Sequence, residues 1–158
     1  MRRLLKFLHT IGAIGLVGSV ASMLVLLRVA PPPASVAGYA LLRGAMGAIA
    51  KWIFLPSIAL TLVAGLFAMA LNNSYQNAGW AWLKLASGVL IFEGFAHVQG
   101  VMQDEAERSV RAVAGQVDPA TLGGSSGAEQ LTLWVVLAVA IANVALGIWR
   151  PRLTRLPK

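Results

Sequence analysis

Four apolar runs, each long enough to cross a bilayer, leave this chain few folds to choose from. A helix rises 1.5 Å per residue and the hydrocarbon core is about 30 Å thick, so a span needs about 20 mainly apolar residues. Runs of that length occupy about 4–29, 52–71, 80–102 and 130–149. In lipid each backbone N–H and C=O must find its partner inside the protein, which for isolated runs of this length means a helix. The expectation is an all-α fold: a four-helix transmembrane bundle forming one integral membrane domain over 1–158. Composition agrees, with 58% hydrophobic and only 12% charged residues, where soluble domains carry about 25% charged. The first run, Leu8 to Leu27, exceeds the ~7–15-residue core of a secretory signal, so it reads as a retained span.

Charge placement excludes one reading and supports another. A net charge of +7 would point to nucleic acid in a soluble chain, but here the cations sit mostly at the ends of apolar runs. That pattern orients a membrane protein, so no nucleic-acid partner is expected and the bilayer is. With four spans both termini share a side. Arg2, Arg3, Lys6, Lys84, Arg150, Arg152, Arg155 and Lys158 would lie there, against Arg28, Arg43, Lys51, Arg108 and Arg111 opposite. The excess places both termini in the cytoplasm. Cys is absent, which removes disulfides, thiolate metal sites and cysteine nucleophiles, and two histidines exclude a His-rich cluster. No glycine-rich phosphate loop follows a strand; the glycines lie inside spans.

Within the spans, small residues mark where helices approach. Gly12, Gly15, Gly18, Ser19 and Ser22 recur along span one, and Ser57, Thr61 and Gly65 share a side of span two. Such residues let membrane helices meet closely where lipid supplies no hydrophobic drive. The glycines and single charge of 35–50 read as a short interfacial helix abutting span two, after the stop at Pro31, Pro32 and Pro33. Pro56 predicts a bend near the start of span two. Residues 103–111 carry no Gly or Pro, so span three is expected to continue out of the membrane; 115–127 reads as a flexible loop.

Ionisable residues inside a span are costly and mark candidate sites. His9 lies ~8 Å in from the cytoplasmic face and Lys84 ~6 Å in from the same face, so the two share a level. Gly12 and Ala13 leave space beside the His9 ring. His97 lies ~26 Å along span three, roughly 18 Å deeper than His9, so the two histidines of one chain cannot hold one haem iron. A haem would take His9 as axial ligand to its iron, with a non-histidine or absent sixth ligand and Lys84 as second ligand or propionate partner. Lys84 is equally explained as an interfacial lysine reaching for headgroups. Glu93 and His97, four residues apart, share a helix face, and Asn143 falls at a plausible depth to join them. These three read either as a proton-handling group or as an interhelical polar cluster holding the spans together. A zinc site lacks a third ligand and the HExxH pattern.

The segments LLKFLHTIGAIGLVGS at 4–19, PSIALTLVAGLFAM at 56–69 and GWAWLKLASGVL at 79–90 resemble the small four-span bacterial membrane proteins of the DUF2269 type. More distantly they resemble the membrane domain of CopD and the HemJ family. The resemblance implies a histidine early in span one and a lysine entering span three, here His9 and Lys84. It also implies b-type haem or porphyrin chemistry near the cytoplasmic face of a bacterial inner membrane. The function expected is therefore a haem-associated redox or haem-handling membrane protein. Alternatives are a structural or accessory subunit of a larger membrane assembly, and a proton-coupled small transporter using Glu93 and His97. Small size and a glycine-rich first span lead one to expect a homo-oligomer or membership of a larger complex.

Overall fold

A computed structural model of the chain describes residues 2–30, 35–123 and 127–149, and their side chains except those of Arg2, His97 and Val98. Pro31 to Pro33, the loop residues 124–126, the basic tail from Arg150 and the His97 side chain lie outside the described residues. Among the described residues there is no strand. The elements are α1 (Arg2–Arg28), α2 (Val36–Ile49), a π-helical turn (Ala50–Phe54), α3 (Leu55–Ala70), the short α4 (Asn73–Gln76), α5 (Gly79–Val113), a 3₁₀ turn (Pro119–Thr121) and α6 (Gly127–Trp149). Four stretches are long and apolar enough to cross a membrane: Arg3–Arg28, Val36–Ala70, Gly79–Val113 and Gly127–Trp149. The fold is an all-α multi-pass membrane bundle.

The helices close a square. α1 packs on α3, α3 on α5, α5 on α6 and α6 back on α1, so each helix runs antiparallel to both neighbours. Along α1, Leu16, Val20, Met23, Leu24 and Leu27 are buried at spacings of three and four, which form one inward stripe. They meet Phe54 and Ile58, Ile91 and Phe95, and Leu133, Val136 and Ala140 from the other three sides. Phe54 and Phe95 stack with centroids 3.5 Å apart at 29°.

Small residues set the α1–α3 approach as their spacing predicts. A Cβ on Gly12 would lie 2.7 Å from the Ser57 carbonyl oxygen, and one on Gly15 would run into the Ser57 side chain. The room that Gly12 offers is therefore filled by α3, which corrects the expectation that it leaves space beside His9.

The segment expected at 35–50 does run straight into span two: α2 continues without a break through the π turn into α3, making one 35-residue helix, Val36–Ala70. Pro56 explains the π turn. Its ring crowds the carbonyl four residues back and its nitrogen has no hydrogen to donate, and widening the preceding turn relieves both. α5 is equally long and does continue past the expected span end, to Val113. Thirty-five residues make ~52 Å of helix, about 20 Å more than the hydrocarbon core. α2 and the distal part of α5 pack together in that excess length, with Gly47 against Gln103.

The described part of the loop after α5 is anchored. Gly115, at φ 71°, ends the helix as a left-handed residue, with Gln116 N–H bonded to Arg111 O and Gly115 N–H to Ala112 O. The chain then folds back: Asp118 Oδ1 accepts from Ala120 N–H, Arg108 donates to Thr121 O, and Glu105 Oε1 accepts from Gly123 N–H at 2.9 Å. Leu122 is buried with Tyr39 and Ala112. One apolar anchor and two charged side chains of α5 hold what glycine content alone led one to expect as loose.

Candidate functional site

Near the end of the bundle where α1 begins, polar groups from all four sides of the square come to one level. His9 Nδ1 lies 2.9 Å from the Thr61 carbonyl oxygen. A carbonyl only accepts, so Nδ1 carries the hydrogen and Nε2 keeps its lone pair. Gly65 permits this contact: a Cβ there would stand 3.6 Å from the imidazole. The Thr61 hydroxyl turns back on its own helix to Ser57 O, leaving the main chain of α3 to orient His9.

Lys84 enters from α5, diagonal to α1 across the square. Its Nζ lies beside α6, 2.9 Å from where a Gly147 Cβ would stand. One turn on, Ser87 Oγ and Asn143 Oδ1 are 2.9 Å apart. His9, Thr61, Lys84, Ser87 and Asn143 thus form one polar layer, contributed by α1, α3, α5 and α6.

Glu93 and Asn143 are not brought together. Asn143 is engaged by Ser87, six residues or ~9 Å short of Glu93 along α5. The expectation rested on reckoning depth from the start of span four. Level is set instead by side-chain register, and Gly147 against Lys84 and Asn143 against Ser87 fix α6 lower. Glu93 is exposed on the outside of α5, and no hydrogen bond or ion pair reaches it among the described residues. Leu62 touches Gly88 and Gly65 touches His9, so His97 lies at least nine residues, ~14 Å, beyond the His9 level.

A second polar group, at the opposite end, escaped sequence reasoning. Arg43 Nη1 donates to Glu129 Oε1 at 2.7 Å, Arg43 Nε donates to Tyr39 Oη at 3.0 Å, and Tyr39 Oη donates to Glu105 Oε1 at 2.9 Å. The Arg43 side chain is only 3% exposed and that of Glu129 11%. This chain of bonds ties α2, α5 and α6 together where they leave the core. Tyr39 four residues before Arg43, the lone cation of an otherwise apolar helix, was the available signal.

The polar layer fits one kind of metal ligation. Among the described residues no three His, Asp or Glu side chains gather to hold a metal ion. His9 by itself offers an imidazole whose Nδ1–H is fixed on a backbone carbonyl and whose Nε2 is free to donate electrons, the arrangement common to histidine ligands. A shallow apolar depression of about 360 Å³ on α6, lined by Ala142, Ala145, Leu146 and Trp149, lies at the same end. At 100° per residue it is on another face of α6 from Asn143 and Gly147. Compared with protein-family models, curated proteins and solved structures, the chain matches none.

Proposed function

We propose that this membrane protein is haem-associated, handling haem or its electrons near the cytoplasmic face of a bacterial inner membrane. The single observation that carries this reading is the His9 imidazole, pinned through Nδ1 to the Thr61 carbonyl with Nε2 left as the electron-pair donor. In this reading His9 would hold the iron and Lys84 would offer an ammonium to a propionate. The resemblance of 4–19 and 79–90 to the DUF2269, CopD and HemJ group supports the same two positions. Haem supplies one-electron exchange at its iron, tuned by axial ligand and surroundings.

The protein's own part is to orient His9 through the Thr61 carbonyl. Absorption spectra of the detergent-purified protein, oxidised and dithionite-reduced, test the proposal. The expected result is a b-type spectrum that shifts on reduction and is lost in His9→Ala, while Lys84→Met keeps the chromophore with weakened retention. A colourless wild-type protein that stays colourless after haem reconstitution overturns it.

A further inference from the structure

Two charged side chains stand on the outer surface of the bundle at depths within the spans. Glu93 is exposed 13 residues and ~20 Å past Trp80 at the start of α5. Lys51 is exposed in the π turn, eight residues or ~12 Å inward of Arg43, whose partner Glu129 lies in the first turn of α6. That depth exceeds the reach of a four-carbon stem toward the headgroups. Among the described residues no hydrogen bond or ion pair reaches either side chain; the Lys51 ammonium lies over the ring of its neighbour Trp52, 5.4 Å from the centroid. Charges at such depth are disfavoured and pair with one another.

The two are matched in depth. Phe54 stacks on Phe95, and α3 and α5 are antiparallel, so Lys51, three residues before Phe54, and Glu93, two before Phe95, lie ~7 Å apart along the bundle axis. A lysine and a glutamate side chain together span that offset. They do not meet within one copy. Gly88 of α5 touches Leu62 of α3, and Glu93, five residues on, is turned about 140° from that contact, away from its own Lys51. A two-fold axis along the membrane normal keeps depth and sets each group against its opposite, so both pairs form at once and neither charge is left over. The α5 surface admits the approach: Gly94, Ala96 and Gly100 are exposed, and the two glycines have open space where a side chain would stand. We propose that the outer face of α5 docks on a second copy of the chain, with Glu93 of each copy paired to Lys51 of the other. The inference is independent of the haem reading, since neither residue belongs to the His9 layer.

The absence of Cys permits a single fluorophore at Gln116→Cys, an exposed position outside the bundle. Donor- and acceptor-labelled full chains are reconstituted together in phosphatidylcholine vesicles. Energy transfer between copies unaltered at 51 and 93 should exceed that of randomly placed monomers and fall when unlabelled chain is added in excess. Lys51→Glu alone and Glu93→Lys alone set like charges across the interface, so each should need about tenfold higher density for half-maximal transfer. The milder Lys51→Met and Glu93→Gln should weaken transfer in the same sense. Mixing donor-labelled Lys51→Glu with acceptor-labelled Glu93→Lys restores both pairs across copies and should restore transfer; a pair closed within one copy gains nothing from mixing. Transfer at the random level for the unaltered chain overturns the proposal, even if a variant fails to fold. So does transfer that the single variants leave unchanged, which assigns self-association to another face, and so does a mixture that stays as weak as its folded components.

Discussion

Arg43 shows how much one side chain can decide at the outer end. Its guanidinium lies almost wholly inside, bonded to Glu129 and Tyr39. Arg43→Met leaves Glu129 largely buried without that guanidinium, and breaking such a pair costs ~3–5 kcal/mol. The double variant Arg43→Met with Glu129→Leu should recover most of that loss, because replacing a buried pair by apolar groups is often near neutral. Denaturant titration in mild detergent, followed by helix signal, checks both. The Glu129 partner was not legible from sequence, since it lies 86 residues from Arg43; only the lone cation with Tyr39 one turn before it was there to be read. Gly12, Ser57 and Thr61 were legible, because close approach in lipid selects small residues at helical spacing and leaves that spacing visible. His9 and Lys84 were likewise placed at one level by counting helical rise. What counting missed was direction: Lys84 crosses to α6, diagonal to His9, and the Thr61 carbonyl carries no side-chain signal at all.

Among elements, the long helices owe their form to what interrupts them and what ends them. Pro56 widens a turn without breaking the helix, so α2 and α3 run on as one 35-residue helix. Both parts pack against α5, and the π turn is where the proline is accommodated. The other boundary is Gly115. Its positive φ and the two backbone bonds around it stop α5 and send the chain back toward Glu105. Gly115→Ala should cost ~1 kcal/mol, the penalty of a side chain in the left-handed region. The same variant should increase hydrogen exchange over 116–123, where Gly123 N–H rests on Glu105, and leave exchange in the Phe54–Phe95 core unchanged.

The molecule as a whole is a closed square of antiparallel helices, two of which are longer than the hydrocarbon core is thick. Charge asymmetry predicts that their excess length lies outside the cytoplasm. In right-side-out vesicles, Gln116→Cys should react with a membrane-impermeant maleimide, and Arg3→Cys should react only after permeabilisation. The reverse pattern inverts the orientation. Closure of the square also has a consequence in time. A chain made from its N-terminus presents the Gly12 and Gly15 face of α1 long before Ser57 and Thr61 arrive to cover it. Arg43 emerges with Tyr39 but without Glu129, which comes only with α6. α6, made after the other three sides, thus both shuts the square and brings a carboxylate to a buried cation laid down earlier. Until it arrives, the Arg43 guanidinium lacks the Glu129 carboxylate on which it rests in the closed bundle.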